Sequence, residues 1–221
     1  MKKVFFASCI LIACQTSSIA QNNSLGSSDP EAKKILDLVS TKMKTYKAIQ
    51  AAFTLKIEDS KGASQGSKSG TAYVKGNKYH VIITGQEIFC DGKNIWTYDK
   101  AANEVTITKF DPATNGLTQK LFTNFYDKDF LYKLNGEKKM GTKTVQEIEM
   151  TPIDKTKNIF KIYLYIDKAT KTVYSSRMLD KSGNVYIYTV NTLKNNATIS
   201  DASFAFDKSK YPGVEVVDLG E

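Results

Sequence analysis

Arginine is almost missing from this chain: Arg177 stands alone in 221 residues that hold 31 basic side chains. There is one histidine (His80) and one tryptophan (Trp96), and two of the three cysteines, Cys9 and Cys14, fall in the first fourteen positions. Each scarcity removes a class of function. Readers of nucleic acid depend on arginine forks and on stacking platforms, so the net charge of +8 reads instead as a lysine-rich solvated surface, drawn to anionic membrane or an acidic partner. No nucleic-acid partner is expected. Cysteine and histidine occur at no metal-site spacing. His80 has no nucleophile or acid at a motif spacing and sits in an alternating strand, so no catalytic residue, metal or cofactor is expected. Asp91, Asp99 and Glu104 look like a carboxylate cluster, but they are turn residues, and Asp before Gly serves backbone geometry. Gly62, Gly66 and Gly70 lack the Gly-Lys-Ser/Thr ending of a phosphate cradle. Cys90, left alone, cannot staple a fold and reads as a buried strand thiol.

Long apolar runs are scarce too. Val4–Ala13 follows Lys2-Lys3 and precedes Ser18-Ile19-Ala20, the pattern of an export signal cut before Gln21; this ten-residue apolar stretch falls short of the roughly twenty residues that span a bilayer. Without the two lysines the charge is 29 − 23 = +6. Leu11-Ile12-Ala13-Cys14 also reads as a lipobox, which would leave a diacylated Cys14 and a membrane tether. Residues 1–20 are thus read as a signal peptide, 21–28 as a polar lead-in and 29–221 as one domain.

Hydrophobic periodicity organises that domain. Ser28 or Asp29 can cap a helix with Pro30 near its start, and Ile35, Leu38, Val39, Met43, Tyr46 and Ile49 recur at spacings of three and four. From Phe53 the period becomes two, and about ten short strands follow. Ser60–Gly70 reads as a mobile loop. Pro112–Leu134 interrupts with helical stripes, one through Leu117, Leu121, Phe122, Phe125 and Tyr126 and a second through Phe130, Leu131 and Leu134. Ile199–Phe206 reads as an edge strand and Tyr211–Glu221 as a tail. The expected class is α+β, mainly antiparallel β, a meander that curls into a barrel or half-barrel.

At its centre lies Asp91-Gly92-Lys93-x-Ile95-Trp96-x-Tyr98-Asp99, followed by Glu104-Val105: two hairpins sharing one strand, with Asp91-Gly92 where a tight turn needs positive φ. With the opening helix that ends near Ala51-Ala52-Phe53, the Gly70-Thr71-Ala72 strand and the mid-sheet helical insertion, this signature resembles the outer-membrane lipoprotein carrier protein (LolA-like) family over nearly the whole mature chain. The resemblance implies an unclosed β-barrel with helices as a lid over an apolar cavity. It implies a monomeric periplasmic carrier that takes acylated lipoproteins from an inner-membrane releasing complex to an outer-membrane acceptor. Related proteins of this architecture bind lipid or sense envelope stress, which fits the tethered alternative. Family members usually carry an Arg-Pro segment after the Gly-containing strand, the arginine helping to latch the lid; Lys75-Gly76-Asn77-Lys78-Tyr79 has neither residue.

Alternate strand residues predict the cavity wall: Phe53, Leu55, Tyr73, Val81, Ile83, Ile88, Trp96, Tyr98, Val105, Ile107, Phe160, Ile162 and Leu164. The lid is assigned to Ile35, Leu38, Val39 and Met43 from the first helix and Leu117, Leu121, Phe122 and Phe125 from the insertion. A slip of one residue would turn any strand's set to the opposite side.

Overall fold

The computed structural model describes residues 28–111 and 126–220. Helix α1 (Pro30–Lys44) starts where the sequence requires: Asp29 is extended at the N-cap and its Oδ1 accepts from the Glu31 N–H at 2.8 Å, while Pro30, which lacks an N–H, loses nothing at the first position. The buried stripe runs Ala32, Ile35, Leu36, Val39, Ser40 and Met43. Leu38, expected inside, lies beyond the edge of that stripe and is 53% exposed; Leu36 holds the inward position. The helix ends at Lys44, and Ile49 opens the first strand instead of closing the helix.

Among the described residues twelve strands form one sheet: β1 (Ile49–Glu58), β2 (Ser64–Lys75), β3 (Lys78–Ile83), β4 (Gln86–Cys90), β5 (Asn94–Asp99), β6 (Glu104–Lys109), β7 (Phe130–Met140), β8 (Lys143–Pro152), β9 (Ile159–Asp167), β10 (Thr172–Asp180), β11 (Val185–Asn195) and β12 (Glu215–Asp218). Their spatial order is 12-6-5-4-3-2-1-11-10-9-8-7. Two meanders, β1–β6 and β7–β11, are sewn together by antiparallel pairing of β1 with β11. Strands β7 and β12 lie at the two edges, so the sheet curls without closing. All pairs are antiparallel except β12 beside β6.

Several elements differ from the sequence reading. Much of the expected loop at Ser60–Gly70 belongs to β2, which starts at Ser64. Phe130, Leu131 and Leu134 lie in β7, where Phe130 and Tyr132 alternate inward; among the described residues a single turn, α2 (Tyr126–Asp129), leads into them. The stripe Leu117, Leu121, Phe122 and Phe125 lies outside the described residues. Ile199–Phe206 is no strand but contains a 3-10 turn at Asp201–Phe204, and the expected tail supplies β12. The turns of the central signature match expectation: Gly92 has φ +91° and Asn103 φ +51°, and Asp91 Oδ1 accepts from the Lys93 and Asn94 N–H groups, both at 2.8 Å.

Packing follows from the register. On the inner face, α1 and residues of both meanders form one cluster, including Ile49, Ala51, Val81, Cys90, Ile148, Met150, Ile162 and Leu164. On the outer face of β4–β6 a smaller cluster of Tyr98, Val105 and Val214 is joined by Trp96, Phe206 and Tyr211. The C-terminal segment 199–219 is therefore a strap laid across the back of the sheet.

Candidate functional site

Cross-strand partners share a face, so the pairings sort the predicted wall. The row Ala51, Ala72, Val81, Ile88 runs along the α1 side, and Phe53 pairs through Gly70 to Ile83. Across the β1–β11 seam the same side continues as Leu55, Tyr188, Ser176, Leu164 and Ile148. Phe53, Leu55, Val81, Ile83, Ile88, Ile162 and Leu164 thus face inward. Four of them, Leu55, Val81, Ile162 and Leu164, are consumed by the protein's own core, whereas Phe53, Ile83 and Ile88 are half-buried.

The other row, Tyr73, His80, Phe89, Trp96 and Ile107, points away from α1, as do Tyr98 and Val105. Tyr73, Trp96, Tyr98, Val105 and Ile107 are therefore corrected from inner wall to outer face. Trp96 and Tyr98 do share one side of β5, but it is the side beneath the strap. Phe160 leaves the wall for another reason: the β9–β10 register shifts there, Asp180 pairs with Ile159, and Phe160 is turned out, 43% exposed.

What remains half-open on the inner face is a seam of rings and branched chains. Phe53 lies at 6.2 Å from the Tyr188 ring, tilted by 43°. Beneath it Gly70 has no side chain for a reason: a Cβ there would meet Phe53 Cζ at 2.5 Å and the Ile82 carbonyl oxygen at 2.7 Å. Tyr186 and Leu134 also pack against the core while staying partly exposed. Burial raises the Tyr188 phenol above its ordinary pKa, with the Tyr186 phenol adding to the effect. Sequence reasoning missed Tyr186 and Tyr188; their alternation in Val185–Val190 was the available signal.

Of the α1 residues assigned to a lid, Ile35, Val39 and Met43 are buried in the core cluster on this face, and Leu38 faces solvent. Helix α1 is fastened at both ends. Asp29 donates its N–H to the Tyr132 carbonyl at 2.9 Å and accepts from the Leu134 N–H at 3.0 Å, and Lys42 Nζ donates to the Thr170 carbonyl. The Leu134 N–H, followed by that of Glu31, holds the Asp29 carboxyl below its ordinary pKa.

No helix among the described residues is long and apolar enough to cross a membrane, and no three of their His, Cys, Asp or Glu side chains gather as metal ligands would. The sequence matches the family model of the outer membrane lipoprotein carrier protein LolA over residues 44–207. The chain belongs to the LolA family. A comparison with curated proteins finds no match. Among solved structures, an uncharacterized conserved protein of Thermus thermophilus is similar with TM-score 0.57 at 16% identity, covering 85% of this chain and 99% of that one. The Mycobacterium tuberculosis lipoprotein LppX aligns with TM-score 0.48 at 12% identity, over 78% of this chain and 99% of its own. A LolA superfamily protein of Nitrosomonas europaea aligns with TM-score 0.43 at 15% identity, over 80% and 98%. The Thermus likeness concerns the fold alone.

Proposed function

We propose that the protein is an exported periplasmic carrier that holds the acyl chains of lipoproteins on its inner face and moves them from the inner to the outer membrane. The observation that carries this reading is the half-buried apolar seam of Phe53, Ile83, Ile88 and Tyr188 beside a fastened helix, in a chain of the LolA family. An apolar surface left open inside a curled sheet suits a flexible hydrocarbon. Each methylene buried contributes roughly 0.8 kcal/mol, so ten amount to about 8 kcal/mol before ordering costs. No catalytic group is required, and an acceptor with a better apolar wall suffices to draw the cargo onward. The inner-membrane releasing complex and the outer-membrane acceptor are the partners this role requires.

The lipobox reading of Leu11–Cys14 supports a second possibility, a tethered lipid- or lipoprotein-binding sensor or lipid-transfer protein. Mass spectrometry of the mature N-terminus separates the two: a chain that starts at Gln21 belongs to the free carrier, a diacylated Cys14 to the tethered form. The carrier reading is tested by identifying what co-purifies with the protein from its native envelope. Acylated polypeptide, lost in Ile88→Glu, is the expected result; protein recovered without acylated material contradicts it.

A further inference from the structure

The outer face carries a half-open hollow of about 400 Å³ between β2–β4 and the strap, separated from the acyl seam by the sheet itself. Tyr73, His80 and Phe89 are cross-strand partners whose rings stack in a row, with centroids 5.9 and 4.1 Å apart and planes 29° and 17° apart. Rings stacked along the cross-strand direction stand up from the sheet and turn their edges toward the strap. Ring edges are electropositive and ring faces electronegative, so the layer that suits this row best is a ring lying across it. The strap brings two rings to the Phe89 end, Phe206 at 5.8 Å and 72° and Tyr211 at 6.5 Å and 85°, stacked on each other at 4.6 Å.

Elsewhere the hollow is bounded on the strap side by small residues, among them Ser200, Ala202 and Ser203. Its charged residues cancel, Lys210 Nζ lying 3.5 Å from Asp207 Oδ2. We infer that this hollow is a binding site for an uncharged planar aromatic molecule, which lies across the edges of Tyr73 and His80 between the sheet and the strap. The volume lies in the range of small-molecule pockets. An acyl chain has no π-face to set against those edges, so the site selects a different ligand class from the inner seam and stands independently of the carrier reading.

The test is a titration of the mature, isotopically labelled chain with 2-naphthol, a neutral planar probe, followed by amide chemical shifts with and without saturating palmitate. Saturable shifts at Tyr73, His80 and Ala202 that palmitate leaves unchanged are expected. Ala202 is exposed and lines the hollow, so Ala202→Trp fills the site and weakens binding about tenfold. Ala205→Leu, also facing the hollow, gives the same direction should the tryptophan disturb folding. Shifts centred on Phe53 and Ile88, displacement by palmitate, or no saturable shift overturns the assignment.

Discussion

Asp29 and Leu134 lie 105 positions apart in sequence, yet the Leu134 N–H donates to Asp29 Oδ2 at 3.0 Å while the other carboxylate oxygen caps α1. One side chain thus starts the helix and docks it on β7. Asp29→Ala removes the cap and the bond to the Leu134 N–H, leaving the backbone bond to the Tyr132 carbonyl. It is expected to lower the midpoint of thermal unfolding and to speed amide exchange along α1 without changing the sheet. The folded-state pKa of Asp29 is lowered from 3.8, so its contribution is present above that pH and is lost as pH falls through the folded value. Calorimetry and hydrogen exchange at neutral pH, repeated near pH 3, check both halves. Unchanged exchange in α1 would contradict the docking role.

Gly70 holds the space that the Phe53 ring occupies. Gly70→Ala puts a Cβ within 3 Å of that ring and of the Ile82 carbonyl, and a central strand cannot easily yield. Such overpacking costs about 1–3 kcal/mol. Denaturant unfolding should show a loss of that order. Binding of a fluorescent fatty acid should weaken as Phe53 leaves the seam. A variant of unchanged stability and affinity would mean that Phe53 moves aside freely.

His80 gives the protein a pH dependence of its own. Its ring is stacked between Tyr73 and Phe89, and Nε2 lies 3.5 Å from Glu87 Oε2. That carboxylate is already engaged by Tyr211 at 2.9 Å and Lys100 at 3.1 Å. Burial, only partly opposed by Glu87, lowers the His80 pKa from 6.5. The unfolded chain therefore takes up the proton first, and stability is fully present above pH 6.5 and falls as pH drops below it. Glu87, whose pKa is also lowered, from 4.5, acts in a lower window. Urea unfolding at pH 7 and pH 5 should show a loss in the native protein that His80→Gln reduces; an equal loss in both would assign the dependence to other groups.

Much of this was legible in the sequence. The cap at Asp29, the Asp91-Gly92 turn and the antiparallel meander each follow from a local rule, and the family signature Asp91–Asp99 lies where its hairpins form. The faces of β5 were not legible. Ile95 and Tyr98 are both buried, on opposite sides, because α1 and the core cover one face and the strap the other. A strand covered twice loses its alternation, and the largest side chain, Trp96, then points to the wrong side. The strap could have been suspected from Phe204, Phe206, Tyr211 and Val214, too many apolar residues for a free tail; Phe204 is fully buried. In β7 the spacing Phe130, Leu131, Leu134 imitates a helix, and only Tyr132 restores the period of two.

The placement of Ile88 and Trp96 on opposite faces allows the central claim to be tested at one strand pair. A photo-crosslinking amino acid is installed at Ile88 in one variant and at Trp96 in another, the cells are irradiated, and the adducts are identified by mass spectrometry. The account predicts lipoprotein adducts from position 88 and none from position 96. Adducts from position 96 alone, or from neither, would contradict an acyl-binding inner face.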